Sequence, residues 1–305
     1  MNIIHFNTPP SSGSAVTVGS FDGIHLGHKK IFSLLKKISL QYNIPGIIIT
    51  FRQHPRLIVQ PSYNLKLLTL IDEKIELLQK LDIDFVQFLD FNKQMADLSA
   101  EEFIKKYLID KLNLKHLIVG FNHRLGKNRQ AGYEELKAIG QKLGFQVHLV
   151  SPLIYKNNYI SSSRIRKALT NCDLENANNM LGYNYFCYAR VVKGNNIGSK
   201  LGFPTANLLI NKQKLLPCPG VYAVKVKINN NTYNGILNYG KRPTIDSSPN
   251  LIPEVHIFDF SENIYNKTIK ITFIKRIRDE QKFNSLQELK NQIQIDIKTA
   301  KLILS

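Results

Sequence analysis

Short apolar runs, many of them rich in β-branched residues, alternate with segments of helical period from residue 15 to about residue 181. The runs predict strands at residues 15–18, 47–51, 85–89, 116–121 and 146–150. Several of these runs are continuously apolar, which is typical of strands buried on both faces of a parallel sheet. The pattern therefore predicts a parallel sheet in the first half of the chain.

Helical segments fit between these strands. Two apolar stripes at helical spacing predict helices, one at Ile31, Leu34, Leu35 and Ile38 and another at Ile75, Leu78 and Leu81. Ser99 and Glu102 have the spacing of a capping box before a helix over about 100–112, and Gly144 ends a helix that follows Tyr133. Alternating strands and helices predict an α/β doubly wound domain, which binds ligands at the carboxyl ends of its strands.

The pattern changes after about Gly182 to closely spaced strands with alternating polarity. We predict strands at 221–228, 233–237, 254–260 and 268–274, with a hairpin turn at 229–231. A last helix starts at the capping box of Ser285 and Glu288 and has an apolar face of Leu289, Ile293, Ile297, Ala300 and Leu304. The second half is therefore predicted to be a small antiparallel β-barrel with a terminal helix. We expect domains at 1–182 and 183–305.

Composition excludes wholesale disorder, because 43% of the 305 residues are hydrophobic. A formal charge of +18 is compatible with nucleic-acid binding. No basic run exceeds a few residues, and the aromatic residues lie mostly inside apolar segments. We favour lysines spread over solvated faces, with a positive potential that also suits small polyphosphates.

Three cysteines, Cys172, Cys187 and Cys218, are too few and too scattered for a disulfide framework and fit a reducing compartment. No run approaches the ~20 apolar residues of a membrane-spanning helix, and residues 1–14 lack the pattern of a signal peptide. The cytoplasm is the expected location.

A glycine-rich segment, Gly19-Ser-Phe-Asp-Gly-Ile-His-Leu-Gly-His28, follows the first predicted strand. Glycines at a strand-to-helix turn let the backbone approach a ligand closely, and free amides at a helix start attract phosphate. His25 and His28 lie three residues apart and share one face of that helix. They can donate hydrogen bonds to a polyphosphate. The alternatives are two surface histidines or two metal ligands, although no Cys or acidic partner stands nearby at ligand spacing.

A second segment, Ile160-Ser-Ser-Ser-Arg-Ile-Arg166, also opens a helix. Its hydroxyls can cap the helix, and Arg164 and Arg166 can clamp phosphate oxygens. A serine-rich cap followed by solvated arginines is the alternative. The chain lacks a Gly-x-x-x-x-Gly-Lys-[Ser/Thr] loop and a Gly-x-Gly-x-x-Gly turn, which disfavours a P-loop ATPase and a dinucleotide-binding dehydrogenase.

These two segments together resemble the flavin adenylyltransferase module of prokaryotic FAD synthetases. Thr50-Phe-Arg-Gln-His-Pro55 and Gly120-Phe-Asn-His-Arg-Leu-Gly-Lys127 match two further family segments, associated with the flavin and nucleotide sites. The chain has Ser163 where the family usually has Thr, and Asn122 where Asp is common. Both residues keep a hydrogen-bonding group.

The resemblance implies direct attack of the FMN phosphate on the α-phosphorus of ATP, with release of pyrophosphate. His25, His28, Ser162 and Arg164 would position ATP and stabilise charge. The other residues implied at the ATP phosphates are Gly19, Phe21, Asp22, Gly23, Gly27, Ser161, Ser163 and Arg166. Those implied at the flavin are Thr50, His54, Pro55 and Asn122.

In the second half, a glycine-rich loop over 194–203 runs into Pro204-Thr-Ala-Asn207. Thr205 and Asn207 point to the same side of an extended segment, and their neutral oxygens suit Mg²⁺. A plain turn stabilised by hydrogen bonds to the backbone is at least as probable from these residues alone. Glu254 opens an alternating strand, where a carboxylate is usually just solvated.

This half resembles the riboflavin kinase module that follows the adenylyltransferase in bifunctional prokaryotic FAD synthetases. The matching segments are the glycine loop with Pro-Thr-Ala-Asn, then Pro219-Gly-Val-Tyr222, Asn238-Tyr-Gly-Lys-Arg-Pro-Thr244 and Glu254-Val-His. The chain departs from the family at Ser199, where Arg is usual, at Tyr239, where Ile is usual, and at Asn266, where Gly is usual. The two resemblances cover nearly the whole chain in the family's order.

The kinase resemblance implies that Thr205 and Asn207 bind Mg²⁺ and ATP phosphate, and that Glu254 accepts the ribityl hydroxyl proton. Gly198, Lys200 and Gly202 are implied at the ATP phosphates and Arg242 at the flavin. We therefore expect a bifunctional enzyme that makes FMN from riboflavin and then FAD from FMN, with ATP as co-substrate and Mg²⁺ in both steps. The alternatives are a chain with only one active module and a non-catalytic nucleic-acid-binding protein.

Overall fold

The computed structural model of the chain describes residues 2–3, 9–193, 202–241 and 251–305. The chain divides into two compact units, Met1–Ser162 and Ser163–Ser305. The predicted fold class is confirmed: an α/β doubly wound domain comes first, and a small antiparallel barrel with a terminal helix follows it.

Among the described residues, the first unit is built on a six-stranded parallel sheet. Its strands are β1 (Asn2–Ile3), β2 (Ser14–Val18), β3 (Gly46–Phe51), β4 (Phe85–Leu89), β5 (Leu114–Gly120) and β6 (Gln146–Val150). The five predicted strands are confirmed to within two residues at each end. The sequence pattern missed β1, because two residues are too few to show a period.

The spatial order of the strands is β1-β4-β3-β2-β5-β6, and every pairing is parallel. After β2 the chain adds β3 and β4 on one side, and then returns to place β5 and β6 on the other side. The order therefore reverses between β2 and β5. Ligands of open α/β sheets bind outside the carboxyl ends of the strands at such a reversal.

Helices connect the strands of the first unit, and they are α1 (Leu26–Tyr42), α2 (Pro55–Val59), α3 (Ile71–Gln79), α4 (Lys93–Ala96), α5 (Ala100–Phe103), α6 (Asp110–Leu112) and α7 (Tyr133–Leu143). A π-helical turn at Ile104–Ile109 continues α5 into α6, a 3-10 turn spans Lys127–Arg129, and a small hairpin pairs β7 (Ile154–Tyr155) with β8 (Asn158–Tyr159).

The predicted helix ends are largely confirmed. The Ser99 hydroxyl accepts the Glu102 amide at 3.2 Å, and Gly144 ends α7 with φ +79°. The α3 helix ends at Gln79, so Leu81, which was predicted to belong to the apolar stripe of this helix, lies beyond its end.

The core of the first unit lies between the sheet and the helices that cross it. Val16, Ile47 and Leu117 project from neighbouring strands and belong to one buried cluster with Phe103 and Leu136 from the helices. A sheet buried in this way explains why its strands are continuously apolar.

Two helices, α8 (Ser162–Thr170) and α9 (Leu174–Leu181), precede the barrel. The described barrel strands are β9 (Phe186–Val192), β10 (Ala206–Leu209), β11 (Gly220–Ile228), β12 (Asn231–Lys241), β13 (Leu251–Ile257) and β14 (Thr268–Arg278). They close antiparallel in the order β10-β13-β12-β11-β14-β9. The predicted hairpin turn between β11 and β12 is confirmed, and Asn229 adopts φ +54° there. Strands β9 and β10 were not predicted.

The terminal helix, α10 (Leu286–Leu304), packs on the barrel as predicted. Ala300 and Leu304 share a buried cluster with Val221 of β11. Asp296 of α10 is buried and accepts two hydrogen bonds from Arg278 Nε and one of 2.7 Å from Arg278 Nη2. This paired charge attaches the helix to β14.

Cys172 and Cys218 form a disulfide in the second unit, and their Cα atoms lie 5.2 Å apart. This disulfide differs from the expectation that the three cysteines fit a reducing compartment. The pair was not predicted because 46 residues separate the two cysteines, and only the fold brings the turn after α8 beside the segment before β11. Cys187 is a buried free thiol.

Within the described ranges, no helix is long and apolar enough to cross a membrane.

Candidate functional site

The segment from Gly19 to His28, here called the histidine turn, connects β2 to α1 at the reversal point of the sheet. Phe21 and Ile24 adopt φ values of +44° and +37°, which are rare for bulky residues, and Gly23 adopts φ +86°. A bulky side chain in this region is strained and persists only when its surroundings hold it there. The conformation of the turn must therefore be maintained by contacts with the rest of the domain.

Asp22 and Thr69 provide several of those contacts. The buried Asp22 carboxylate accepts the Leu68 amide at 3.1 Å, the Thr69 amide at 2.9 Å and the Thr69 hydroxyl at 3.2 Å. The Thr69 hydroxyl in turn accepts the Gly23 amide at 3.0 Å. The segment before α3 thus binds both the side chain and the backbone of the turn.

The two histidines stack on each other at the start of α1. Their ring centroids are 3.6 Å apart with an interplanar angle of 18°. The Nδ1 atom of His25 accepts the His28 amide at 3.3 Å, so the His25 side chain is the N-cap of the helix and its Nδ1 carries no proton. The spacing predicted the shared face correctly, and the stack shows how close the two rings are.

Burial, and then the neighbouring His25 and Lys74, hold the pKa of His28 well below its usual range. The Nδ1 atom of His28 is buried and has no hydrogen-bond partner in the part of the chain that the structure describes. Its ring also meets the edge of Phe21, with centroids 5.3 Å apart. The turn therefore holds a neutral imidazole with one polar atom left unsatisfied.

The serine segment reaches the histidine turn through Ser162. The Ser162 hydroxyl donates to the Asp22 carbonyl at 2.9 Å, so these two predicted segments do come together. Ser161 is half-buried, and Ser163 is exposed. Arg164 and Arg166 are half-buried residues of α8.

The other adenylyltransferase candidates follow β3 and β5. Thr50 is fully buried at the end of β3. His54 caps α2, and its Nδ1 accepts the Arg56 amide at 3.2 Å, with Pro55 as the first residue of that helix. Asn122 is exposed just after β5.

Two glycines of the histidine turn lie against its own aromatic rings. A Cβ atom at Gly19 would lie 2.8 Å from the Phe21 ring, and one at Gly27 would lie 3.1 Å from the His25 ring. The first distance is shorter than real Cβ contacts, so any side chain at Gly19 would displace Phe21.

In the barrel, Thr205 and Glu254 are in direct contact, since the Thr205 hydroxyl donates to Glu254 Oε2 at 3.3 Å. Asn207 lies directly opposite Glu254 in the β10–β13 pairing and is buried. Directly paired residues of antiparallel strands share a face of the sheet. The fold therefore brings together the two expected Mg²⁺ ligands and the expected base of this half.

Two neighbours of this cluster, Asn238 and His256, were not among the site residues predicted from the sequence. Asn238 lies directly opposite Glu254 in the β12–β13 pairing, so Asn207, Glu254 and Asn238 form a polar row across three strands. His256 Nδ1 lies 2.8 Å from the Pro204 carbonyl, which can only accept, so His256 donates and holds the residue before Thr205. Asn238 stood inside a recognised motif, but only the strand register shows what it faces.

Gly198, Ser199, Lys200 and Arg242 lie outside the described residues. Gly202 is described, and it is exposed with φ +88°. Asn266 adopts φ +63°, and asparagine tolerates this conformation better than other residues with a side chain, which explains how it can stand where the family usually has glycine.

The fold and these two sites define an α/β nucleotide-binding domain joined to a small barrel that carries a polar site of its own. The family model described as FAD synthetase matches residues 8–164, and the model described as riboflavin kinase matches residues 181–304. The two models together cover both halves in the expected order.

Full-length relatives agree with both matches. "Bifunctional riboflavin kinase/FMN adenylyltransferase" of Buchnera aphidicola subsp. Schizaphis graminum is 42% identical over 98% of this chain and 96% of its own length. The proteins of the same name are 39% identical in Haemophilus influenzae, over 95% of this chain and 94% of theirs, and 36% identical in Bacillus subtilis, over 97% and 96%. The chain belongs to the bifunctional riboflavin kinase/FMN adenylyltransferase family.

A solved structure also shares the fold over nearly its whole length. It is titled as a macrolide-efflux protein from Streptococcus pneumoniae, is 31% identical, and superposes with a TM-score of 0.88 over 98% of each chain.

Proposed function

We propose that this chain phosphorylates riboflavin to FMN with ATP and then transfers the adenylyl group of a second ATP to FMN, which yields FAD and pyrophosphate. The observation that carries the proposal is the match of both family models along one chain whose full-length relatives are named for both activities. The contacts within each half support it, because each half holds its own set of polar side chains suited to phosphate chemistry.

In the kinase half, Glu254 is the proposed general base. Its carboxylate accepts the proton of the ribityl hydroxyl as that oxygen attacks the γ-phosphorus of ATP, and ADP leaves. Proton acceptance by a positioned carboxylate is a recognised contribution to phosphoryl transfer. The hydrogen bond from Thr205 orients the carboxylate, and Asn207 lies opposite it in the strand register.

Thr205 and Asn207 are the proposed ligands of Mg²⁺ in this half. Two neutral oxygen donors beside a carboxylate suit a hard cation that keeps several waters. Within the described ranges, no group of three or more His, Cys, Asp or Glu side chains is placed to hold a metal ion. Bound Mg²⁺ would neutralise charge on the phosphates of ATP. Mg²⁺ in the adenylyltransferase half is proposed from the resemblance alone.

In the adenylyltransferase half, the FMN phosphate oxygen attacks the α-phosphorus of ATP. A new P–O bond forms there while the bond to the β-phosphate oxygen breaks, so pyrophosphate leaves and no proton needs to be removed from the nucleophile. His25, His28, Ser162 and Arg164 are proposed to donate to the phosphate oxygens, whose charge redistributes during transfer. The unpartnered, buried Nδ1 atom of His28 supports a role in ligand binding.

The remaining candidates serve binding in this proposal. Backbone amides of the histidine turn would approach the triphosphate, together with the hydroxyls of Ser161 and Ser163 and the side chain of Arg166. The segments after β3 and β5, with Thr50, His54, Pro55 and Asn122, would bind the flavin. In the kinase half, Gly198, Lys200 and Gly202 would contact ATP and Arg242 the flavin.

We place the functional boundary between residues 182 and 183 and the protein in the cytoplasm. The family matches support the boundary, since one ends at residue 164 and the other begins at residue 181. Gly182 ends α9 in a left-handed conformation just before the barrel strands.

Incubation of the purified chain with riboflavin, ATP and Mg²⁺, followed by chromatography of the flavins over time, tests the proposal. We expect FMN to appear first and FAD to follow. A chain that converts neither riboflavin nor added FMN would refute both assignments, and a chain that converts only one of them would have a single active module.

A further inference from the structure

Lys74 is a buried lysine beside the histidine turn to which neither the sequence motifs nor the resemblance assigns a role. It lies on the first turns of α3 and is 7% exposed. Its ammonium group donates to the Ser20 carbonyl at 2.8 Å and lies 3.4 Å from both the Thr50 hydroxyl and the Phe51 carbonyl. Burial of an ammonium group costs free energy unless hydrogen bonds compensate for it. A lysine on the exposed face of α3 would support the helix equally well, so helix formation alone does not explain why Lys74 is buried.

The three oxygen atoms that contact the Lys74 ammonium group all lie at the carboxyl ends of β2 and β3, where the proposed nucleotide site lies. Ser20 is the second residue of the histidine turn, and Thr50 and Phe51 end β3. One ammonium group therefore connects α3 to the carboxyl ends of two adjacent strands. The strained residue Phe21 follows Ser20 directly, and the second strained residue, Ile24, comes three residues after Phe21. A fixed Ser20 carbonyl limits how far the strained turn can relax.

The charge of Lys74 also acts on the histidine pair. Burial lowers the pKa of Lys74 to about 8, although Asp22 opposes this shift, so the group remains mostly charged at neutral pH. Burial is the largest cause of the low pKa of His28, and two charged neighbours lower it further: His25, the N-cap of the same helix, and Lys74 on α3. His25 and Lys74 thus both disfavour a positive charge on the His28 imidazole. The Asp22 carboxylate stabilises the charged form of Lys74.

We propose that Lys74 is a positioning residue for adenylyl transfer, which holds the histidine turn in its strained conformation and supplies a fixed positive charge beside His25 and His28. This inference rests on the proposed function of the histidine turn. Lys74 is too deeply buried to be assigned a direct contact with the phosphates, so it acts through Ser20, through Thr50 and through its field on His28.

The test replaces Lys74 by Met, which keeps the length of the side chain and removes the charge, and by Arg, which keeps the charge. Lys142→Met is the matched control, because it removes an equal charge from an exposed ion pair with Glu101. We expect Lys74→Met to lower kcat/KM for conversion of FMN to FAD by roughly 10- to 100-fold, as a small misplacement of catalytic groups does. Conversion of riboflavin to FMN by the same molecules should stay at the wild-type rate.

A second readout does not depend on turnover. The proton affinity of His28, followed by NMR titration of the histidine ring signals in the full-length protein, should rise in Lys74→Met because a nearby positive charge is gone. It should stay near the wild-type value in Lys74→Arg and Lys142→Met. A merely structural role for Lys74 does not predict this difference between Met and Arg.

The two readouts separate the possible failures. If the wild-type chain makes no FAD but Lys74→Met still raises the proton affinity of His28, the proposed function fails and the field of Lys74 on the histidines is upheld. If Lys74→Met leaves both FAD formation and the titration of His28 unchanged, the inference is overturned. Should Lys74→Met not fold, Lys74→Gln replaces it in both readouts, because glutamine keeps a hydrogen-bond donor and removes the charge: a raised proton affinity of His28 with slower FAD formation supports the inference, and wild-type values of both overturn it.

Discussion

The histidine turn and the polar row of the barrel differ in how many separate segments of chain build them. His25 and His28 are supplied by one continuous segment, and its strained backbone is held by hydrogen bonds from residues 68–74. Asn207, Glu254 and Asn238 come from three strands, and each faces the next only because the strands pair in one register. The first site depends on a locked local conformation, and the second depends on sheet pairing.

This difference has a consequence for what a mutation can disturb. A change in the contacts of the histidine turn shifts both histidines together, because they share one helix start. A change of one side chain in the polar row leaves the strand register in place, because the backbone ladder of the barrel maintains it. We therefore expect single substitutions in the barrel to report the chemistry of the side chain, and substitutions around the turn to report its geometry as well.

The largest effect is expected for Glu254→Gln. Loss of the proposed base should lower the rate of FMN formation by roughly 10²- to 10⁴-fold, while conversion of added FMN to FAD continues at the wild-type rate. Flavin chromatography measures both rates in one preparation. Glu262→Gln, at an exposed position beyond β13, is the matched control. Kinase activity of Glu254→Gln equal to that of the wild type would remove Glu254 from the mechanism.

His28→Ala should have the complementary effect on the other half. Loss of one donor aimed at the transferring phosphate lowers the rate by about 10² to 10³ in comparable sites, so FMN should accumulate in place of FAD. His148→Ala, in the edge strand β6, removes a histidine from the same domain and serves as control. The assignment is wrong if His28→Ala forms FAD as fast as this control does.

Thr69→Val tests whether the conformation of the histidine turn matters apart from its histidines. Valine keeps the shape of threonine but loses the hydroxyl that bonds both Asp22 and Gly23, so we expect FAD formation to fall by roughly 10- to 100-fold. Thr69→Ser should recover most of the activity. Equal rates for Val and Ser would show that the hydroxyl is not needed.

Thr205→Ala should change the metal dependence of the kinase. Loss of a neutral oxygen ligand weakens Mg²⁺ binding, and the Mg²⁺ concentration that gives half-maximal FMN formation should rise by about tenfold, since one lost ligand or hydrogen bond is worth roughly 1.4 kcal/mol. Thr205→Ser should stay close to the wild type. Riboflavin phosphorylation that is indifferent to EDTA would contradict a metal at this site.

The smallest effect concerns stability against acid. Burial lowers the pKa of His123 to about 4, with a smaller contribution from Arg129. The unfolded chain, with an ordinary histidine pKa of about 6.5, then binds more protons than the folded chain between these two values. The free energy of unfolding should therefore fall as the pH is lowered from about 6.5 towards 4. Urea unfolding of the wild type and of His123→Gln across this range checks the sign, because the variant should lose less stability.

Much of the fold follows from patterns that are local in the sequence. The buried strands of the first unit, the capping box at Ser99, the N-cap at Ser285 and the hairpin at Asn229 each depend on a few adjacent residues, and each was predicted. At Ser285 only half of the predicted capping box forms, because the Glu288 carboxylate accepts the Asn284 amide instead of the Ser285 amide. Strand β10 was missed because the four residues Ala206–Leu209 are shorter than the window in which a period can be recognised.

The candidate site, like the fold, was predictable only where it depends on residues close together in the sequence. The histidine pair is visible as a spacing, whereas Lys74 is hidden among the apolar residues of α3, and its hydrogen bonds to Ser20 and Phe51 exist only in the folded chain. Asn238 faces Glu254 through strand register, which the sequence does not display.

Mixing two full-length chains, each inactivated in a different half, tests whether this protein carries two independent active sites. Glu254→Gln and His28→Ala chains, each supplied with riboflavin, ATP and Mg²⁺, should accumulate little FAD on their own. When mixed, the His28→Ala chain should release FMN that the Glu254→Gln chain converts to FAD, so FAD formation should return after a lag during which FMN accumulates. If the mixture makes no more FAD than the two separate reactions together, then the chain does not carry two independent sites connected by free FMN, and the proposed bifunctional activity is contradicted.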